Sequence, residues 1–349
     1  MSTRADRSPS LGIVIVSYNT RDLLDACLRS LQVELAAGGW QVDPKQARAL
    51  DEGRPRAVTW VVDNGSHDGS AEMVARRYPW VQLHRSARNL GFTAGNNVVL
   101  APWAAGDSCP DYVLLLNPDA ELQPGALRVM TEAMDQWPRC GALGPQLVYA
   151  DGGFQHAAFR DPGLVQAALD LWPVPRVQES SLNGRYPRER YAAGRPFRVD
   201  FVLGACLMMR GKALRAVGAL DEGFFMYCEE IDWCRRARDL DWEVLCVPAA
   251  TVLHHAGASS AQFRSASFVA LWRSRLRYAR LHLGPVQQRA YRVLLRAGLA
   301  WRSLRDGWAA SRQRLSRQER SERRAAYRAI WRPQPPLGGP ERPIGRAGP

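Results

Sequence analysis

Apolar and polar residues alternate along this chain in blocks that mark secondary structure. Gly12 to Val16 is a short apolar run, Arg21 to Glu34 has helical spacing, and a second apolar run, Val58 to Val62, ends at Asp63. Strand, helix and strand in that order predict the β-α-β unit of a parallel sheet. The pattern continues with a helix over Ser70 to Arg77, with Ser70 as its cap, and a strand over Val81 to His84. A Gly/Asn-rich segment, Arg88 to Asn97, precedes a fully apolar strand, Tyr112 to Leu116. Val199 to Arg210 reads as one strand, Ile231 to Asp239 as a helix, and Glu243 to Val247 as a strand closed by a turn at Pro248.

Three segments break this rhythm. Gly38 to Arg56 reads as an insertion at the sheet's edge, and Trp172 to Arg198, rich in Pro, Arg and Gly, as a mobile surface loop able to close over substrate. Beyond Phe263, Leu, Trp, Tyr and Val recur at helical spacing among arginines, before a Pro/Gly-rich end. The expected organisation is a disordered N-terminus over 1–10, an α/β domain over 11–263, a basic amphipathic helical extension over 264–332 and a disordered tail over 333–349.

Composition sharpens this picture in two places. The net charge of +13 over 349 residues sits in the tail: residues 264–349 carry 20 Arg against four acids, leaving the rest slightly negative. The seven cysteines are scattered and form no C-x-x-C pair, which argues against a disulfide framework and a zinc knuckle and fits a reducing cytosol. The N-terminus has neither a secretory signal nor a run long enough to span a membrane.

Candidate chemistry gathers where strands end. Asp63 closes an apolar strand and opens the turn Asp63-Asn64-Gly65-Ser66, and ligands of open parallel sheets collect beyond such ends. Asn117-Pro118-Asp119 closes the second buried strand. A diphosphate needs a hard cation, and Asp119 is the best-placed carboxylate to hold one. Glu229, Glu230 and Asp232 cluster with aromatic residues at a helix start, where burial can raise a carboxyl's pKa and suit it to general-base work. His254 and His255 follow the last strand and can complete a metal shell or bind phosphate. Each motif alone also has a structural reading, as a turn, a cap or a surface ion pair.

In this order and company, the four motifs resemble the family-2 glycosyltransferases of the GT-A fold, notably their bacterial rhamnosyltransferase-like branch, from about Leu11 to about Ser260. The resemblance implies a mostly parallel, Rossmann-like sheet flanked by helices. It also implies nucleotide contacts from Ser17, Tyr18, Asn19, Asp63, Asn64 and Ser66, and from Asn89, Gly91, Asn96 and Asn117 beside them. Asn117-Pro118-Asp119 corresponds to the family's D-x-D-type motif, so Asp119 and His254 would hold Mg²⁺ or Mn²⁺. Gly204, Ala205 and Glu229 would line the acceptor side. The base would be Glu230, with Asp232 in reserve, and which of the three acids serves stays open.

The implied reaction is inverting transfer of a sugar from a nucleotide-diphosphate donor to a glycan or lipid-linked acceptor in cell-envelope biosynthesis, with dTDP-rhamnose the favoured donor. Asn117 and Glu230 depart from the family pattern, which leaves a non-catalytic sugar-nucleotide-binding protein as an alternative. A nucleotidyltransferase ranks lower, because Ser17-Tyr18-Asn19-Thr20-Arg21 stands where a Gly-rich phosphate loop belongs. The tail suggests an anionic membrane surface, with the protein cytoplasmic or peripheral at the inner face of the membrane. A nucleic-acid module with Trp272, Tyr278, Tyr291, Trp301 and Trp308 stacking on bases is the lesser reading.

Overall fold

The computed structural model describes residues 9–42, 54–106, 108–255 and 264–332. Its first half runs β1 (Ser10–Ser17), α1 (Arg21–Ala37), β2 (Gln41–Val42), β3 (Arg56–Asp63), α2 (Ser70–Arg77), β4 (Val81–Arg85), α3 (Gly91–Ala105) and β5 (Tyr112–Leu116). Next come β6 (Ala120–Leu122), α4 (Ala126–Gln136), β7 (Cys140–Val148), β8 (Phe154–Gln155), β9 (Ala158–Phe159), α5 (Leu164–Leu171), α6 (Pro175–Gln178) and α7 (Arg188–Ala192). The chain then forms β10 (Phe197–Arg198), β11 (Phe201–Val202), β12 (Cys206–Arg210), α8 (Gly211–Val217), α9 (Glu229–Asp239) and β13 (Glu243–His254), and finally α10 (Arg264–His282), α11 (Pro285–Ser311) and α12 (Arg317–Ala329).

The sheet is ordered β10-β13-β7-β12-β5-β1-β3-β2, with β4 continuing along the edge of β3. β1 pairs in parallel with both β3 and β5, and β12 enters antiparallel between β5 and β7. All five residues of β5 are buried, which explains its unbroken apolar sequence: a strand covered by layers on both faces has no polar side. α1 covers one face by burying Leu24, Cys27, Leu28, Leu31 and Leu35, a single stripe at helical spacing.

Several expectations change. β1 begins at Ser10, inside the stretch expected to be disordered, because its hydroxyl and amide both bond Asp111. Residues 1–8, most of the expected edge insertion (43–53) and the tail 333–349 lie outside the described residues. Ser70 opens α2 as its first residue, and the Asp68 carboxylate caps it by accepting from the Ser70 amide and hydroxyl. The Gly/Asn-rich segment enters a helix at Gly91. Val199 to Arg210 is two strands interrupted at 203–205. Pro248 lies within β13, at a bulge between Val247 and Thr251 where pairing to β7 is suspended and its missing N–H costs nothing. Trp172 to Arg198 is short helices with Tyr186 and Tyr191 buried, a packed segment in place of the expected open loop.

The largest change concerns the extension. α10, α11 and α12 fold with α5 around a second core that includes Leu171, Trp272, Tyr291, Leu295, Leu299 and Ile330. Trp272, Tyr278 and Tyr291 are 2–4% exposed, so they cannot stack on bases or enter lipid. No helix among the described residues is long and apolar enough to cross a membrane.

Candidate active site

Parallel register sets Ser17 beside Asp63, so β1, β3 and β5 open toward the same edge of the sheet. Two loops are stitched together there. Asn19, in the left-handed region at φ 51°, donates its amide to Ser66 Oγ (3.0 Å) and accepts from the His67 amide (2.8 Å). Asp63 Oδ2 accepts from the Ser66 amide, while its buried Oδ1 has no hydrogen-bond partner among the described residues. Tyr18 sits half-buried between Ser17 and Asn19. This corner offers a ribose or base an acceptor already held in position.

The Asn-rich segment has a framework role. Asn64 donates to the Gly91 carbonyl (2.9 Å), Asn89 accepts from the Gly91 amide (2.8 Å), and Asn96, 1% exposed, donates to the Phe92 carbonyl. These bonds occupy Asn89 Oδ1 and Asn96 Nδ2 within the loop. Gly91, at φ +83°, passes so close to the acid-bearing loop that an added Cβ would sit 2.5 Å from the Phe225 carbonyl oxygen. Phe92 donates its amide to that same oxygen (2.9 Å), joining the donor side to the acid cluster.

At the end of β5, Asn117 donates its amide to the Ala205 carbonyl (2.9 Å), and the Asn117 carbonyl accepts from Ala120 to close the turn. Asp119 is 1% exposed, with Oδ1 3.5 Å from His254 Nε2. β6 and β13 pair His254 with Ala120, which creates this juxtaposition, and His254 Nδ1 lies 3.3 Å from the Gln155 Oε1 that can accept its proton and leave Nε2 free. His255 is engaged by Glu121 (2.8 Å).

Among the described residues, no three His, Cys, Asp or Glu side chains gather into a metal-binding group. The Asp119–His254 pair nevertheless fits a divalent cation whose remaining ligands are phosphate oxygens and water: two ligands at about 2.1 Å from one ion lie roughly 3 Å apart. An oxygen that accepts from the far N–H, as Gln155 Oε1 can, fixes the tautomer a metal-binding histidine needs. Tyr149, Ala150, Asp151, His254 and His255 line an open pocket of about 440 Å³ beside this pair.

The acid cluster begins with two consecutive left-handed residues, Tyr227 (φ 71°) and Cys228 (φ 69°), which throw Glu229, Glu230 and Asp232 into the first turn of α9. Gly204 faces Glu230: a Cβ there would lie 3.7 Å from its side chain. Burial pushes the Glu230 carboxyl up to about 7 against the opposing pull of backbone amides at residues 204, 228, 230 and 231. Burial, reinforced by the Glu230 charge, drives Glu229 well above the usual range. Asp232 differs. Burial alone would raise it, but the hydrogen bond from His282 (2.7 Å) and the Arg236 guanidinium (2.8 Å) outweigh that and hold it below the ordinary range. Committed to two partners, it is unsuited to the reserve role of base.

α10 forms the back wall of this cluster. Ser274 donates to the Met226 carbonyl (2.7 Å), Arg277 forks onto Asp221 (2.6 and 2.7 Å) and lies over the Phe224 ring, and His282 reaches Asp232. Sequence reasoning missed Gln155, Ser274, Arg277 and His282. Each acts on a residue 48 or more positions away, and nothing in its own neighbourhood marks it.

The chain is 32% identical over 257 residues, 72% of its length and 77% of the relative's, to the N-acetylglucosaminyl-diphospho-decaprenol L-rhamnosyltransferase of Mycobacterium tuberculosis. It is 34% identical over 80 residues (23% of this chain, 30% of the relative) to the rhamnosyltransferase WbbL of Escherichia coli. A mannosyltransferase of Pyrobaculum calidifontis, solved with GDP-Man and Mn²⁺, superposes with a TM-score of 0.49 at 13% identity, over 93% of this chain and 86% of that one. The family described as Glycosyl transferase family 2 matches residues 12–218, a span that ends before the acid cluster. The chain is a glycosyltransferase and belongs to glycosyl transferase family 2.

Proposed function

We propose that the protein transfers a sugar, with rhamnose from dTDP-rhamnose the favoured donor, to a lipid-diphosphate-linked glycan acceptor of the cell envelope, with inversion at the anomeric carbon. The name of the mycobacterial relative supports the sugar and the acceptor class. The observation that carries the chemistry is one hydrogen bond, Asn117 to Ala205, which ties the turn bearing Asp119 to the strand break over which Glu230 sits.

Glu230 accepts the proton of the acceptor hydroxyl. The hydroxyl oxygen forms its bond to the anomeric carbon as the carbon–oxygen bond to the diphosphate breaks on the opposite face. A carboxyl ionising near 7 is matched to that task at neutral pH. Asp63 accepts from the nucleoside. Asp119 and His254 would hold a Mg²⁺ or Mn²⁺ ion, which supplies neutralisation of charge on the departing diphosphate. Asn117 completes the turn without adding a second carboxylate.

The test is calorimetry of dTDP-, UDP- and GDP-sugars with Mg²⁺, Mn²⁺ or EDTA on wild type and Asp119→Ala, beside transfer assays on Glu230→Gln. Metal-dependent binding of one donor, lost in Asp119→Ala, together with transfer lost in Glu230→Gln, is the expected result. Donor binding without any transfer by the wild type would favour a non-catalytic sugar-nucleotide-binding protein, and no binding at all would remove the proposal.

A further inference from the structure

α11 is apolar on two opposite faces. Tyr291, Leu295 and Leu299 are buried in the second core, as a surface helix requires. Val286, Val293, Trp301, Leu304 and Trp308, spaced by 7, 8, 3 and 4 residues, fall on the other side, within roughly 100° of the helix circumference. Their exposures are 78, 64, 52, 70 and 53%, so this stripe is bare along more than twenty residues. Scattered exposed apolar residues need no explanation, but a continuous stripe on one helix face does.

The margins identify the occupant. Helical spacing puts Arg289 and Arg296 along one border and Arg305 and Arg312 along the other, all exposed. Arg312 stacks on Trp308, 4.1 Å from its ring centre, which keeps a cation at the edge of the apolar strip. A second copy of this chain would bring arginine borders against arginine borders. Single-stranded nucleic acid wants planar rings to stack on, and three of the five side chains are aliphatic. An anionic lipid surface satisfies both features: aliphatic side chains enter the acyl boundary, tryptophans sit at headgroup level, and flanking arginines meet phosphate.

We propose that this outer face of α11 is the surface by which the protein lies on an anionic bilayer. It narrows the membrane contact expected of the tail to one face of one helix.

The test is sedimentation of the full chain with vesicles of phosphatidylglycerol and phosphatidylcholine, against phosphatidylcholine alone. The comparison set is wild type, Trp301→Glu/Leu304→Glu/Trp308→Glu, and Val293→Glu/Leu304→Glu, which spares both tryptophans. Wild type is expected to bind the anionic vesicles at least tenfold more tightly, with a blue shift of tryptophan emission. Both variants should lose at least tenfold while keeping the wild-type unfolding midpoint and donor affinity, so that docking and transfer are judged separately. Unchanged vesicle binding in both folded variants would overturn the proposal. So would a wild-type dimer that the variants convert to monomer with no vesicle binding, which would assign the face to a second copy. Binding to a single-stranded oligonucleotide, lost in the variants while vesicles stay unbound, would also overturn it.

Discussion

Replacing Glu230 by glutamine removes a charge that the folded protein holds at a cost. An ordinary glutamate ionises near 4.5, whereas burial moves Glu230 to about 7. At about 1.4 kcal/mol per pH unit of separation, ionising it in the folded state costs about 3 kcal/mol. Below pH 4.5 the carboxyl is protonated in folded and unfolded chains alike, and no penalty exists. Between 4.5 and 7 the unfolded chain releases its proton first and stability falls; above 7 the full penalty persists. Glutamine escapes this but turns an NH₂ toward backbone amides that the carboxylate satisfied, which reduces the gain to about 1–3 kcal/mol. Urea unfolding of both proteins at pH 5 and pH 8 measures the difference directly. The variant should be more stable at pH 8, with a clearly smaller advantage at pH 5, while transfer falls by about 10²–10⁴ and donor affinity holds. Stability curves that stay parallel across this range would refute the raised carboxyl and, with it, the argument for its role as base.

Further outcomes follow from the same geometry. The wild-type kcat/KM should rise about tenfold per pH unit below 7 and level off above it, and Glu229→Gln should leave that midpoint near 7, because Glu229 is held neutral by burial and by the Glu230 charge and adds no charge while Glu230 ionises; a pH–rate profile reads both. Gly91→Ala places a β-carbon 2.5 Å from the Phe225 oxygen in a left-handed conformation, so it should lose at least about 2 kcal/mol in chemical denaturation and weaken donor binding, whereas Gly204→Ala meets ordinary contact distances and should fold normally. Arg277→Met removes the fork onto Asp221 and should lower kcat more than it changes donor affinity, because it loosens the acid-bearing loop and leaves the β1–β3 corner intact; equal losses in both would argue against a local role.

The parallel half of the fold was legible because its signals are local. β5, all apolar and buried on both faces, matches its expected bounds, as does α2. The corner built by Ser17, Asn19, Asp63 and Ser66 was also legible, since strand ends and turn residues announce it within a few positions. What stayed hidden depends on packing between distant segments. Asn96 has the composition of a binding residue and the burial of a framework one. Asp232 looked like its neighbours Glu229 and Glu230 until His282, fifty residues on, was seen to hold it. The arginine-rich tail reads as one basic surface, yet Trp272, Tyr278 and Tyr291 face inward, because periodicity reveals that a helix has an apolar face and says little about which of two faces will be covered.

The wall that α10 builds behind the acid cluster also orders events during synthesis. Domains fold from the N-terminus as they are made. The β1–β3 corner is complete once α3 and β5 have emerged, and Asp119 gains His254 once β13 has emerged. Asp221 and Asp232 wait longer, for Arg277 and His282, and α10 itself is packed against α11 and α12 only when the last described helices leave the ribosome. A chain that has reached β13 but not α10 therefore holds the Asp119–His254 pair before the acid cluster has its back wall.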